Sequence, residues 1–310
     1  MKRLKDIPNK LVKDQDATTV IPGLISLMRR KEIVARLSVL PPLPAVAHEV
    51  LSILSEDPKS IVRLEQTIRH DPILTAQLLR LANSPAFCPH TYIDTVHRAI
   101  VYLGFQEVRN LCLGLAIFSM FKSCQGSEKF DEHSFWTHSM ATAILSRLLA
   151  AEAGEKEPEV FFTAGLLHDL GKLALNTCFP SQLTAIIALA KDSEWPLIKA
   201  ERYFGLPHTI IGGWLARSWQ LPPAYVKAIT SHHLSPKHPK WSRIGGLVQL
   251  ADYMCHKTGM GFMIAPKVNL EVLCFKLSIG QDIVQDLLEQ MSLMEDVAQT
   301  VEGIVCTISS

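Results

Sequence analysis

Histidine and aspartate residues that could bind a metal ion recur along the middle of this 310-residue chain. The most informative stretch is Phe161–Lys172, in which an apolar run ends in an adjacent His168 and Asp169, followed by Gly171 and Lys172. A polar pair on so apolar a segment is costly unless the pair is hydrogen-bonded or bound to a cation. The structural alternative is a helix that ends in a His–Asp hydrogen bond, with Gly171 as its C-cap.

Further candidates lie in apolar, helix-like surroundings rather than on a charged face: His138, His208, the doublet His232–His233 and Asp252. Imidazole and carboxylate groups together suit divalent zinc, iron, manganese or magnesium. Asp169 has two oxygens and could bridge two ions, as in hydrolases whose metals lie ~3.5–4 Å apart. Taken singly, each histidine also has a structural explanation, and the doublet could be a partly exposed loop pair.

The order His, His–Asp, His, His–His, Asp resembles that of the HD superfamily of metal-dependent phosphohydrolases. Blocks from Leu40 to Phe262 are similar to those of the HDOD group within that superfamily. These blocks include LPPLP at 40–44, HDPIL at 70–74, LLRLANS at 78–84, AIVYLG at 99–104, FWTH at 135–138, AGLLHDLG at 164–171 and WQLP at 219–222.

The resemblance implies metal ligands in two sets that share Asp169. One set is His138, His168, Asp169 and Asp252, and the other is Asp169, His208, His232 and, as a further candidate, His233. Lys172 matches the family's His-Asp-x-Gly-Lys pattern and would bind a substrate phosphate, so that Asp169 and Lys172 are the catalytic candidates. The alternative for Lys172 is a lysine at a helix C-terminus that offsets the helix dipole.

For function, the resemblance implies a regulatory, signal-transducing protein with a mono- or dinuclear metal site. Its partner would be another signalling protein or a phosphorylated or nucleotide ligand. The alternative is a metal-dependent phosphohydrolase that acts on a phosphodiester or a phosphomonoester. Two departures argue against a cyclic di-GMP-specific HD-GYP enzyme. Leu234–Pro236 follow the doublet in place of Gly-Tyr-Pro, and Ser134 stands where those enzymes carry a third-metal Glu.

Composition limits the compartment and the partners. With 31 basic and 30 acidic residues, the chain has no large electrostatic attraction to nucleic acid or to membranes. No apolar run is long enough to span a bilayer, and no signal-peptide core follows the basic start. Seven cysteines without paired short spacings indicate reduced thiols. We therefore expect a soluble, cytoplasmic protein whose oligomeric state the sequence leaves open.

Helical periodicity throughout predicts an all-α, two-lobed multi-helix bundle with an HD-domain-like C-terminal lobe. The predicted regions are an arm and helix at 1–37, an HDOD domain at 38–262 with lobes at 38–122 and 130–262, and a helical tail at 263–310. Ser60 is the expected N-cap of one helix, and the order Asp71–Pro72 predicts the start of the next.

Several segments could also have a binding role, which the sequence favours less than a structural one. The helix expected at 24–39 and the proline-rich 41–44 could bind partners, and helix-turn-helix spacing in the first lobe could indicate DNA binding. Against DNA binding, this lobe has no dense stripe of Lys and Arg. The tail could pack back on the body or dimerise. Four histidines fall outside the motif order and are expected not to bind metal: His48, His70, His90 and His97.

Overall fold

The structure, a computed structural model, describes residues 42–53, 57–83, 89–122, 126–264 and 266–293, together with 33, 35–38, 40 and 87. Within these residues every regular element is a helix and no strand occurs, which confirms the all-α fold class. Of the helix predicted at 24–39, residues 33 and 35–37 are helical, with Ile33 and Leu37 buried. The rest of that helix lies outside the described residues.

Five helices form the first lobe: α1 (Ala45–Ser52), α2 (Pro58–Arg69), α3 (Pro72–Ala82), α4 (Val96–Leu103) and α5 (Phe105–Lys122). As predicted, Asp71 caps α3, since its carboxylate accepts the N–H groups of Ile73 and Leu74. The expected cap at Ser60 is wrong. Asp57 caps α2 and accepts the Ser60 N–H at 2.9 Å, because Pro58 occupies the first helical position and needs no N–H partner.

The second lobe contains the elements that carry the candidate metal ligands. Its helices are α6 (Glu132–Glu152), α7 (Pro158–Leu167), α8 (Leu170–Cys178), α9 (Pro180–Asp192), α10 (Leu197–Phe204), α11 (His208–Ser218), α12 (Pro223–Ser231) and α13 (Arg243–Lys257). Helices α7 and α13 pack against α6, α11 packs against α8, and α12 contacts α7, α11 and α13. Apart from the break between α7 and α8, the breaks fall at the predicted Pro and Gly positions, because proline removes a helical N–H and fixes φ.

The described part of the tail packs back on the body. Helix α14 (Leu270–Leu277) contacts α13 and buries Leu273, Cys274 and Leu277, and α15 (Gln281–Leu293) follows it. Residues 294–310 lie outside the described part. Among the residues described, no helix on its own has the length and hydrophobicity of a membrane span, and Cys112, Cys178, Cys255 and Cys274 form no disulfide bond.

The two lobes share one continuous hydrophobic cluster and a polar network at their boundary. Arg147 of α6 contacts Glu107 of α5 at 2.6 Å and Glu159 of α7 at 3.6 Å. Asn110 of α5 donates to Glu159 at 2.6 Å and accepts from the Thr163 hydroxyl of α7 at 3.2 Å. Helix α7, which leads directly into His168 and Asp169, is therefore held by the first lobe as well as by the second.

Candidate metal centre

The predicted metal ligands come from well-separated parts of the second lobe and meet at one point. His138 lies within α6, His168 and Asp169 form the break between α7 and α8, and Asp252 lies within α13. His208 is the first residue of α11, and the doublet His232–His233 follows the end of α12. The ligands other than His233 are almost completely buried, with 0–3% of each residue exposed.

The candidate ligand atoms fall into two groups, each within 4.8 Å. The first ligand group is His138, His168 and Asp252, and the second ligand group is Asp169, His208, His232 and His233. Asp169 lies between them. Its Oδ2 atom is 3.2 Å from Nε2 of His168 and 3.7 Å from Nε2 of His138, and its Oδ1 atom is 3.2 Å from Nε2 of His208.

Most of these separations are close to those of atoms that share one ion, and the longest exceed them by a few tenths of an ångström. Ligand atoms bound at ~2.1 Å in tetrahedral or octahedral arrangements lie roughly 3.0–3.4 Å from each other. In the first group, Nε2 of His138 is 3.4 Å from Oδ1 of Asp252. In the second group, Nε2 of His208 and Nε2 of His232 are 3.2 Å apart, and Nε2 of His232 is 3.7 Å from Oδ1 of Asp169.

The hydrogen bonds of the histidine Nδ1 atoms fix which nitrogen faces inward. Nδ1 lies 3.2 Å from the Met260 carbonyl in His138, 2.6 Å from the Gly165 carbonyl in His168, 3.1 Å from the Ala228 carbonyl in His232 and 2.5 Å from the Glu201 carboxylate in His208. Those oxygens accept the bond, so each Nδ1 carries a proton, and Nε2 is the nitrogen that faces inward and offers a lone pair when the ring is neutral.

Two inward lone pairs and a carboxylate oxygen converge in the second ligand group. Nε2 of His208 faces Nε2 of His232, and the buried Oδ1 of Asp169 has no hydrogen-bond partner among the described residues. Acceptors packed this closely repel each other unless a cation lies between them. The residues present therefore fit a divalent metal ion.

Burial and charge favour the metal-binding protonation states of His138, His232 and Asp169, whereas the negative charge of Asp169 outweighs burial at His168 and raises the pKa of that ring. Burial lowers the pKa of His138 to about 3 and that of His232 to about 4, so that both rings are neutral near pH 7. Burial alone would raise the pKa of Asp169, but the positive charges of His168 and Lys172 outweigh it and lower that pKa. Neutral imidazoles and ionised carboxylates are the forms that coordinate a cation.

Lys172 occupies the first turn of α8 rather than the end of a helix. The chain breaks after Leu167 and a new helix begins at Leu170, so both structural alternatives, Gly171 as a C-cap and Lys172 as a C-terminal lysine, are wrong. The Lys172 ammonium donates to Oδ2 of Asp169, and it lies 5.2 Å from the centre of the Phe262 ring. A buried ammonium thus adjoins the first ligand group.

Gly171 allows the close contact between α8 and α11. A Cβ atom at this position would lie 1.9 Å from the carbonyl oxygen of His208 and 2.8 Å from the backbone nitrogen of Gly212. Both obstacles are backbone atoms, which cannot rotate away as a side chain can. The glycine after the His–Asp pair is therefore required to bring His208 up to Asp169.

A loop after α13 covers the site. Phe262 in this loop is 3% exposed and packs against Phe130 and Phe135, with ring centres 5.3 and 5.6 Å apart. The cleft below is lined by Lys172, His208, His233, Asp252, His256 and Phe262, and it leaves about 10 Å³ for the centre of a water molecule. That space holds about one water molecule or ion.

Two residues of the site were missed by sequence reasoning. His256 lies one turn after Asp252 on α13, with its Nε2 atom 3.3 Å from Oδ1 of Asp252. Its i, i+4 spacing was a usable signal, because such residues share a helix face. Glu201 contacts His208 across the turn between α10 and α11. No helical or strand spacing points to Glu201, because a turn separates the two residues.

Comparison with known proteins identifies the family. The sequence profile of the HDOD domain matches residues 40–235, well over half of the chain. The chain belongs to the HDOD family. A solved HDOD domain protein of unknown function from Geobacter sulfurreducens is 26% identical, with a TM-score of 0.75 over 87% of this chain and 95% of that chain. The resemblance to the HDOD group that the sequence motifs indicated is thus confirmed.

Curated relatives of this HDOD chain are longer than the aligned region. An uncharacterised protein of Treponema pallidum is 23% identical over 74% of this chain and 46% of its own length. Ribonuclease Y of Clostridium perfringens is 33% identical over 37% of this chain and 17% of its own length. The chain thus spans less than half of the length of the curated relatives it matches. The structure brings all eight predicted site residues together, and their individual roles stay predictions.

Proposed function

We propose that this HDOD protein is a regulatory, signal-transducing protein whose HD-like lobe holds a divalent metal ion. The enclosure of the site carries this proposal. The ligands other than His233 are almost fully buried, and the cleft has room for about one water molecule or ion but not for a phosphorylated substrate. Ions held by the two ligand groups, which meet at Asp169, would link α6, α11, α12, α13 and the α7–α8 break into one unit.

The candidate ligands are of two chemical types, carboxylate and imidazole. Asp169 and Asp252 would supply negative charge, and the four histidines with hydrogen-bonded Nδ1 atoms would supply Nε2 as a nitrogen ligand. This mixed set suits iron, manganese or zinc better than magnesium, which prefers oxygen ligands. The partner that receives the signal would be another signalling protein or a phosphorylated or nucleotide ligand.

A metal-dependent phosphohydrolase is the second candidate, favoured by Lys172 and His256 beside the ligands in the cleft. A divalent ion in such a site polarises phosphoryl oxygens and makes water more acidic. Lys172 would neutralise charge on a phosphate, and Asp169 would hold the ion. The partial relationship to a ribonuclease supports phosphodiester chemistry. A substrate of this kind requires the loop at Phe262 to move.

The deciding experiment is a metal analysis of protein purified without chelator or affinity metal. We expect about one or two divalent ions per chain by elemental mass spectrometry. Asp169→Asn should lose the ion, because the remaining amide lacks charge and a second ligand oxygen. Asp94→Asn, in an exposed ion pair with Arg98, is the matched control and should keep it.

Activity assays then separate the two candidates. The metal-loaded protein should not turn over phosphodiester or phosphomonoester substrates if its role is regulatory. Turnover that disappears in both Asp169→Asn and Lys172→Met would favour the phosphohydrolase instead. Protein that takes up no ion after incubation with iron, manganese and zinc would contradict both candidates.

A further inference from the structure

Glu201 is a fully buried carboxylate that contacts the second ligand group from outside. Its Oε2 atom accepts a hydrogen bond from Nδ1 of His208 at 2.5 Å and another from the backbone N–H of His208 at 2.9 Å. Its Oε1 atom is buried and has no hydrogen-bond partner among the described residues. A buried charged group with one oxygen left unpaired is costly, so its presence needs an explanation beyond packing.

The contact sets His208 apart from the other inward-facing histidines. Nδ1 of His138, of His168 and of His232 each donates to a backbone carbonyl, whereas Nδ1 of His208 donates to a carboxylate. A charged acceptor makes a stronger hydrogen bond and holds the ring more firmly. It also increases the electron density at the opposite nitrogen, which raises the basicity of that nitrogen as a metal ligand.

We propose that Glu201 is a positioning residue of the metal centre. It fixes His208 with Nε2 toward Oδ1 of Asp169 and increases the affinity of the second ligand group for a divalent ion. This inference rests on the proposed metal site. Glu201 acts through His208 and does not touch the ion.

Helix capping is the competing explanation for the same contacts. His208 is the first residue of α11, and the N-cap residue, Pro207, makes no side-chain capping hydrogen bond. The Glu201 carboxylate accepts one of the N–H groups that a helix N-terminus leaves unpaired, and its charge is favourable at that end. A capping role predicts lower stability of the metal-free protein but an unchanged metal affinity.

The test uses the full chain, with Zn²⁺ affinity measured by competition against a chromogenic chelator. Glu201→Gln keeps an oxygen acceptor for the cap but removes the charge, and we expect the affinity to fall 10–100-fold. The visible absorption of bound Co²⁺ should change as well, because the ligand field at His208 changes. Glu49→Gln, which removes a carboxylate from an exposed ion pair with Arg63 in the first lobe, is the control and should leave both unchanged.

A double-variant comparison links the effect to His208. In a His208→Ala background, Glu201→Gln should cause no further loss of Zn²⁺ affinity, since the ligand it positions is gone. An additive loss would contradict the positioning role. If Glu201→Gln fails to fold, Glu201→Asp serves instead, because its shorter side chain keeps the charge but cannot reach Nδ1, and the affinity should fall likewise.

The remaining outcomes separate this inference from the proposed function. If Glu201→Gln melts earlier without metal but binds Zn²⁺ like the wild type, Glu201 is a helix cap and the inference is wrong, while the metal site stands. If the wild type itself binds neither Zn²⁺ nor Co²⁺, the proposed function fails and the inference fails with it.

Discussion

At the scale of single residues, the Asp169–Lys172 contact places two opposite charges in the protein interior. Their side chains are 1% and 7% exposed, and the ammonium sits at the same carboxylate oxygen that faces the first ligand group. Removing one member of such a pair leaves a buried, uncompensated charge and typically costs about 3–5 kcal/mol. A divalent ion beside Asp169 would take over the neutralising role of the ammonium.

Lys172→Met should therefore make the stability of the protein more dependent on metal. Without metal the variant should melt well below the wild type, because the Asp169 charge is unpaired. Added Zn²⁺ or Mn²⁺ should raise its Tm by more than it raises the Tm of the wild type. Differential scanning fluorimetry with and without metal measures both increments, and equal increments would contradict this account. Lys129→Met, at an exposed position, is the control.

The candidate ligands were predictable because the family pattern singles out their order, and because polar residues in apolar helices are unusual. His168 and Asp169 were recognisable in this way from a single stretch. The sharing of Asp169 by two ligand sets was also predicted, but which of its oxygens faces which group required the structure. Glu201 was not predictable, since its contact with His208 depends on how the α10–α11 turn folds.

At the scale of helices, the contact between α8 and α11 sets the second ligand group. Gly171 and Gly212 face each other there, and the helix backbones approach so closely that a Cβ atom on Gly171 would overlap the His208 carbonyl. His208 begins α11 at this contact, so its position follows the spacing of the two helices. The site is therefore sensitive to substitutions at positions that supply no metal ligand.

Gly171→Ala should push α11 away from α8 and lose metal together with stability. Overpacking of this kind typically costs about 1–3 kcal/mol, and here the obstacle is backbone rather than a movable side chain. We expect a lower Tm without metal and a reduced metal content by elemental mass spectrometry. Gly280→Ala, where the new Cβ meets only the Asp282 side chain, is the control. Full metal content in Gly171→Ala would show that the helix contact does not position His208.

Helix boundaries were predictable where local chemistry decides them. Asp71 before Pro72 and the Gly and Pro breaks of the second lobe act through their own backbones, so neighbouring residues sufficed. The break after Leu167 was different, because no proline lies there and the residues before it form an apolar run. Directly after that break α8 packs against α11, a contact between distant segments that no local pattern encodes.

At the scale of the whole molecule, the candidate metal centre joins segments that are distant in sequence. His138 and Asp252 lie on α6 and α13, and α7 runs from the polar network with the first lobe directly to His168. An ion bound by the folded but not by the unfolded chain stabilises the fold by mass action. The state of the site is thus coupled to the stability of the lobe as a whole.

Metal loading should raise the Tm by roughly 5–10 °C at a free ion concentration near 100 times the Kd. This follows from ~2.7 kcal/mol of binding linkage and about 2–4 °C per kcal/mol for a domain of this size. Scanning calorimetry before and after chelation measures the shift, with Asp169→Asn as the variant that should not respond. A Tm that is indifferent to chelator in fully loaded wild type would contradict the predicted coupling.

The loop that covers the site also bears on how quickly an ion exchanges. Met260 holds Nδ1 of His138 through its carbonyl, and Phe262 of the same loop is anchored among aromatic rings. An ion bound behind this loop could leave only if these contacts opened, so we expect its exchange to be slow compared with changes in the surrounding metal supply. The metal occupancy of such a centre would then reflect the metal concentration at the time when the site last opened, rather than the current one.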